Sequence, residues 1–205
     1  MIYDWESLIK TPLYRNILDN WRALLDNNRL KEADYHNFLA TNPAIFLMER
    51  NSYLAISKLK LGSEYETDFV IVKEGYSNGT IYELIEIESP HTALFDKSGK
   101  PTAKFNAALQ QIRDWKRFLI NNKPIFKRIL PTTNTRIISN SRLRFKIIIG
   151  RRTHDLDQLE KRRQISEEEN IEIISFDRLT EIAQNRCCFW NDSDIFSAEM
   201  DEIDY

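Results

Sequence analysis

The sequence predicts an α/β domain in which helices cover both faces of a mixed sheet of about four strands. Apolar residues recur at helical spacing through the first sixty residues. Two β-rich segments around a turn follow over residues 65–88, and helix-like and strand-like segments then alternate to about residue 183. With 205 residues, of which 42% are hydrophobic, the chain is long enough to bury a core.

The N-terminal pattern predicts two helices. Apolar residues at helical spacing run through residues 8–25, and Asp26-Asn27-Asn28 ends this first helix. A second run begins at Glu32, and Asn42-Pro43 stops it.

The next segment predicts an antiparallel β-hairpin. Residues 65–72 are rich in β-branched and aromatic side chains, and residues 81–88 repeat that character up to Pro90. Between them, Ser77-Asn78-Gly79 has the composition of a tight turn.

The second half of the chain alternates between helix and strand. Residues 123–143 are basic and fit neither pattern, and Asp177 is the expected N-cap of a last helix. The patterns predict a helix over 102–119, a strand over 144–150, a charged helix over 155–169 and a strand over 171–176.

Composition argues against a membrane or secreted protein. No apolar run approaches the roughly 20 residues that a membrane helix needs, and the N-terminus lacks the pattern of a signal peptide. Cys187 and Cys188 are adjacent, which favours neither a disulfide nor a zinc site. We therefore expect a cytoplasmic protein without membrane contact.

Charge is distributed unevenly along the chain. Residues 113–163 hold 15 Lys and Arg against 4 Asp and Glu, whereas residues 164–205 hold 2 Arg against 12 acids. A basic block of this kind is typical of a protein that binds a polyanion such as DNA. The alternative is a solvated surface whose basic and acidic halves neutralise each other.

Three carboxylates on the predicted hairpin are the candidate site. Glu86 and Glu88 share one strand face with Cα atoms about 7 Å apart, and Asp68 points the same way if the hairpin register is regular. Such close like charges repel unless a cation such as Mg²⁺ or Mn²⁺ lies between them. The alternative is a wetted sheet face, and Glu83 on the opposite face shows that this strand tolerates acids.

Gln111 is a second candidate. It lies four residues before Trp115, on the same face of the predicted helix. Its amide offers one donor and one acceptor end, which suits the orientation of a water molecule or a phosphate. The alternative is an ordinary exposed polar residue.

Three motifs in this order resemble the PD-(D/E)xK nuclease pattern. They are Thr67-Asp68-Phe69-Val70-Ile71, Leu84-Ile85-Glu86-Ile87-Glu88-Ser89-Pro90 and Gln111-Ile112-Arg113-Asp114-Trp115. The chain is more closely similar to the Shedu family of antiviral defence nucleases, over about residues 32–182. The resemblance implies a restriction-endonuclease-like fold, with an N-terminal helical segment over 1–30, the nuclease domain over 31–190 and an acidic tail over 191–205.

The resemblance also implies roles for single residues. Asp68 and Glu86 would hold Mg²⁺ or Mn²⁺, Gln111 would match a glutamine that follows the core, and Glu32 would match an acid of the leading helix. Glu88 departs from the pattern, because it stands where a lysine is expected. As a third acid it could hold a second metal ion, Lys97 or Lys104 could supply the missing charge, or the site could be inactive.

The residues and the resemblance together suggest three alternative functions. The first is a metal-dependent DNA endonuclease for antiviral defence, in which catalysis uses Asp68, Glu86, Glu88, Gln111 and Glu32 and subunits pair as a homo-oligomer. The second is a DNA-binding or assembly module that keeps the fold without the chemistry. The third is an interaction domain in which the basic block pairs with the acidic tail.

Overall fold

A six-stranded mixed sheet with helices packed on both faces forms the domain in the computed structural model. The structure describes residues 2–4, 13–45, 52–75, 79–122, 129–130 and 142–184. The predicted fold class is confirmed, with two more strands than expected.

The strands of the main sheet lie in the order β1-β2-β5-β6-β7-β8, and β3 pairs with β4 in a small separate ribbon. They are β1 Ile2–Asp4, β2 Ser52–Ser57, β3 Lys60–Leu61, β4 Tyr65–Glu66, β5 Phe69–Lys73, β6 Ile81–Ile87, β7 Leu143–Ile148 and β8 Glu172–Ile174.

The predicted hairpin is confirmed as the antiparallel pair β5–β6, in which Phe69 lies opposite Ile85 and Val70 opposite Leu84. Strands β6, β7 and β8 run parallel to one another, which requires crossover connections. Helices supply both crossovers, so the predicted alternation of helix and strand is also confirmed.

Four helices have defined bounds: α1 Arg15–Asp26, α2 Glu32–Thr41, α3 Ala103–Asn121 and α4 Leu156–Glu169. Residues 176–184 continue as a fifth helix, α5. Thr102 caps α3 by accepting a hydrogen bond from the Phe105 amide, and Asp155 caps α4 through the amides of Asp157 and Gln158.

The sheet separates two apolar cores. On one face, α1, α2 and α5 bury Trp21, Tyr35 and Phe176 against alternate residues of β5 and β6. On the other face, α3 buries Phe105 and Trp115, among others, against the intervening residues of the same strands. Because strand side chains alternate, both faces of β5 and β6 are apolar and the hairpin forms the centre of the domain.

The helical reading of the first sixty residues was wrong at two places. Ser52–Ser57 forms β2, and Ile2–Asp4 forms β1 at the sheet edge. β2 is only six residues long, and it buries Ala55 on one face and Ile56 on the other. Such a short strand shows no alternation of polar and apolar residues, so the sequence pattern could not distinguish it from a helix.

The predicted N-cap of the last helix was wrong by two residues. Ser175 caps α5, since its Oγ accepts a hydrogen bond from the Arg178 amide at 3.2 Å. Asp177 instead accepts hydrogen bonds from the Arg151 side chain and the Arg152 amide. Its carboxylate therefore joins α5 to the segment after β7.

Several expectations lie outside the described residues, among them the acidic tail over 191–205 and most of the ambiguous segment over 123–143. Within the described part of the chain, no helix is long and apolar enough to cross a membrane.

Candidate active site

The two acids of the central hairpin come together at one end of the sheet. Asp68 lies one residue before β5, and Glu86 lies next to the end of β6. Because Phe69 pairs with Ile85, the flanking positions of Asp68 and Glu86 are neighbours on the face covered by α3. Each residue is only 7% exposed, so the wetted-face alternative is wrong for this pair.

The carboxylate of Asp68 is held on both sides. Its Oδ2 accepts a hydrogen bond from the Ile87 amide at 2.8 Å, which joins it to the end of β6. Its Oδ1 lies 2.5 Å from the Lys58 amine, which follows β2 on the other neighbouring strand. The acid is therefore fixed by strands on both sides of β5.

Gln111 reaches the site from α3. Its Nε2 donates a hydrogen bond to Glu86 Oε2 at 2.7 Å. One helical turn further, Trp115 is fully buried and anchors this face of the helix against the sheet. The structure thus brings Gln111 and Glu86 together.

Glu88 and Glu32 form a second carboxyl pair beside the first. Glu88 lies just beyond β6, where its amide donates to Ile148 on β7. Burial, together with the charge of Glu88 and a side-chain hydrogen bond to it, raises the pKa of Glu32 to about 7. A hydrogen bond between two carboxyl groups requires a proton on one of them, so this pair holds a proton near neutral pH. Lys104 on α3 lies 3.3 Å from the Glu88 carboxylate.

Glu86 experiences the strongest electrostatic cost in the site. Burial, together with the charges of Asp68, Glu32 and Glu88, raises its pKa to about 10, although the charge of Lys58 acts in the opposite direction. A buried carboxyl group surrounded by like charges binds a proton or a cation more readily than it stays ionised alone.

Sequence reasoning missed His36. His36 Nε2 lies 3.4 Å from the Asp68 carbonyl oxygen and 4.0 Å from its Oδ1. Burial, followed by the charge of Lys58, lowers the pKa of His36 and favours the neutral ring. One signal was available, since His36 follows Glu32 by four residues on the same helix face.

Sequence reasoning also missed Lys58, because it missed the strand that ends before it. Of the two lysines proposed to reach the site, Lys104 does contact Glu88, whereas Lys97 is exposed in the loop before α3. Lys58 makes the closer contact, and it does so with Asp68 rather than with Glu88.

Several arginines in the described part of the basic block pair with acids of the domain. Arg113 pairs with Glu169, and Arg152 pairs with Glu181. Arg151 pairs with acids on two helices, at the end of α1 and the start of α5. These ion pairs agree with the alternative in which basic and acidic residues neutralise each other at the surface. The described part of the basic block therefore does not by itself indicate DNA binding.

Residues 29–180 match a family profile described as Shedu protein SduA, C-terminal. The chain belongs to the Shedu family. The match covers about three quarters of its residues, including every candidate site residue. Membership confirms the resemblance and implies a role in antiviral defence.

A search of curated proteins found no match to this Shedu chain. Family membership supports the defence role, and the chemistry of the site depends on the side chains that the fold brings together.

Proposed function

We propose that this Shedu chain is a Mg²⁺- or Mn²⁺-dependent DNA endonuclease. One observation carries the proposal: four carboxyl groups converge beside the end of the hairpin, with only two lysines against them among the described residues. Ionised, these groups leave two negative charges uncompensated, which is the charge of one divalent cation. The acids are Glu32, Asp68, Glu86 and Glu88, and the lysines are Lys58 and Lys104.

The donor set suits such a cation chemically. Carboxylate oxygens are the ligands preferred by Mg²⁺ and Mn²⁺. Glu86 projects from β6, and Asp68 lies one residue before β5. Across the described ranges, no three acidic, histidine or cysteine side chains are already gathered as an ion would hold them. Instead, Asp68 engages Lys58 and Glu86 engages Gln111, so cation binding would exchange these partners.

Asp68 and Glu86 would hold the cation, and Glu88 would hold a second one or stay paired with Glu32. A bound divalent cation would polarise the phosphodiester and activate a water molecule for attack. Gln111, fixed by the buried face of α3, would orient the water or the phosphate through its amide. Neutral His36 would keep the Asp68 loop in place through its contact with the Asp68 carbonyl.

A plasmid-nicking assay with Mg²⁺ or Mn²⁺ tests the proposal. We expect Asp68→Ala to lower cleavage by more than about 100-fold, because even partners that only orient metal ligands contribute about 10- to 100-fold. Glu64→Gln is the matched control, since it removes an exposed acid in the turn between β3 and β4. Equal cleavage by wild type and Asp68→Ala would reject Asp68 as a metal ligand.

A second candidate is a Shedu module that binds DNA or assembles subunits without cutting. Glu88 favours it, because a carboxylate at that position cannot supply positive charge to the developing transition state. This candidate predicts DNA retention that weakens with salt and ignores EDTA. Calorimetry that detects Mn²⁺ binding lost in Asp68→Ala would decide for the nuclease.

Subunit pairing belongs to the first proposal, since one such site per chain cuts one DNA strand. Sedimentation of wild-type protein with and without a short DNA duplex measures this directly. A monomer in both conditions would limit the activity to nicking.

A further inference from the structure

Lys58 occupies an unusual place beside the candidate site. It follows β2, and its amide donates to the Asp68 carbonyl oxygen at 3.0 Å while its amine reaches Asp68 Oδ1 at 2.5 Å. Backbone and side chain of one residue thus hold the same acid. The position of the amine is fixed by strand pairing, since Ser57 lies opposite Phe69.

The backbone of Lys58 is strained. Its φ is +56°, in the left-handed region that favours glycine. Among the described residues other than glycine, only Asn170 shares this feature, and Asn170 is the C-cap of α4, where asparagine is common. Lysine, unlike glycine or asparagine, does not favour this region of backbone conformation. Backbone strain of this kind is retained mainly where the side chain has a function.

The amine of Lys58 faces both the acid and the outside. The Lys58 side chain is 46% exposed, whereas that of Asp68 is only 9% exposed. The lysine therefore covers the open side of a buried carboxylate, where a phosphate group that approached Asp68 would meet the amine first.

We propose that Lys58 is a catalytic residue of phosphodiester hydrolysis, and that it supplies from β2 the positive charge missing at Glu88. The inference rests on the proposed nuclease function. Lys58 would leave Asp68 Oδ1 when a cation binds there and would donate hydrogen bonds to the phosphate oxygens. The water oxygen forms a bond to phosphorus, and the bond from phosphorus to the leaving oxygen breaks. The water releases one proton to solvent, and the leaving oxygen gains one proton.

Lys104 is the competing lysine. Its side chain is 60% exposed, and its amine lies 3.3 Å from Glu88, farther from its acid than Lys58 is from Asp68. It stands on α3 with ordinary helical backbone and neutralises one member of the Glu32–Glu88 pair. Of the two lysines, Lys58 contacts Asp68, one of the two acids proposed to hold the first cation, whereas Lys104 contacts Glu88.

The first experiment measures single-turnover cleavage of a saturating DNA duplex with Mn²⁺. We expect Lys58→Met to lower the rate by about 100-fold or more, as loss of one transition-state donor does. Lys58→Arg keeps the positive charge and should retain most of the wild-type cleavage rate. A purely steric role of Lys58 would not predict this result. Lys60→Met is the matched control, because it removes an exposed lysine two residues away on β3.

Lys58→Gly separates chemistry from folding. Glycine accepts the left-handed backbone without strain, so this variant should melt at or above the temperature of Lys58→Met. We expect it to cleave as slowly as Lys58→Met. A slow variant with an undiminished melting temperature cannot be explained by misfolding.

The second experiment measures Mn²⁺ binding by calorimetry without DNA. Lys58→Met and Lys58→Gly should bind Mn²⁺ more tightly than wild type, because the amine no longer competes for Asp68. Weaker binding in both variants would show that Lys58 only holds Asp68 in place, and would overturn the inference.

The remaining outcomes distinguish a failure of the proposed Lys58 role from a failure of the proposed nuclease function. If wild type cleaves and Lys58→Met cleaves within about threefold of it, Lys58 is not catalytic and the nuclease proposal stands. If wild type does not cleave with either cation, the nuclease proposal fails and the catalytic role of Lys58 fails with it.

Discussion

Glu83 and Glu86 lie three residues apart on β6, and both are buried, with 6% and 7% exposure. They face opposite sides of the sheet. Glu83 lies between two lysine amines, each 3.1 Å from its Oε2, on the neighbouring strands β5 and β7. Glu86 lies among carboxyl groups. Strand β6 therefore carries two equally buried acids: Glu83 is compensated, because lysine charges balance it, and Glu86 is uncompensated.

The two environments shift the pKa in opposite directions. Burial works to raise the pKa of Glu83, but Lys146 and Lys73 outweigh it and hold that pKa below the usual range. Burial and the neighbouring carboxylates together raise the pKa of Glu86 to about 10. Burial alone thus does not mark a functional acid, whereas burial without compensation does.

The largest effect that tests this comparison is the loss of a lysine from the compensated side. Lys146→Met leaves the buried Glu83 with one amine and should lower the free energy of unfolding by about 3–5 kcal/mol. For a domain of this size, that corresponds to a fall of about 10 °C in melting temperature. Chemical denaturation and thermal melting measure it.

Glu172→Gln is the matched control for Lys146→Met. Glu172 contacts the same amine at 3.1 Å, but its side chain is 57% exposed, so its loss should cost less than about 1 kcal/mol. Equal destabilisation by both variants would mean that the Glu83 contact has no special weight.

The uncompensated side should respond in the opposite sense and more weakly. Glu86→Gln replaces a buried carboxyl group that must take up a proton on folding at neutral pH, and should raise the free energy of unfolding there by roughly 1–2 kcal/mol while removing cleavage. Thermal melting without divalent cations measures the gain. A loss of stability instead would show that the Gln111 contact outweighs the repulsion.

The uncompensated side should also make the stability of the domain depend on pH. Glu32 and Glu86 have pKa values of about 7 and about 10 in the folded protein, against an ordinary 4.5. The folded state therefore binds more protons than the unfolded chain above about pH 4.5, so the free energy of unfolding falls as pH rises from 5 to 8.

Thermal melting in EDTA from pH 5 to pH 8 measures this slope. Glu32→Gln should flatten the part between about pH 5 and pH 7. Mn²⁺ should flatten the whole profile by neutralising the cluster. A melting temperature that stays constant over this range without cations would contradict the uncompensated state of the site.

The sequence revealed the parts of the fold that depend on local pattern. The β5–β6 hairpin and the α3 and α4 helices follow from period, turn residues and caps within a few positions. For the same reason, the sequence alone assigns Asp68 and Glu86 to one face of the sheet. Their burial could not be predicted from the sequence, because the helix that covers them is distant along the chain.

The missed residues depend on longer-range pairing. β2 is too short for a clear period, so Lys58 at its end carried no signal until Ser57 was seen opposite Phe69. His36 looked like an ordinary helix residue, because its contact with Asp68 joins positions 32 residues apart. Asp177 resembled a cap but binds Arg151, since two distant segments meet there.

Helix α1 precedes the family-matched region, which begins at residue 29, yet the Trp21 indole donates a hydrogen bond to Thr180 Oγ1 at 3.0 Å across 159 positions of sequence. During synthesis, α1 leaves the ribosome many seconds before its partner helix exists. Its apolar face can pack on α2 early, since Trp21 stacks on Phe38 with ring centroids 5.4 Å apart. Its contact with α5 has to wait until almost the whole domain has been made, so the first of the described helices completes its docking last.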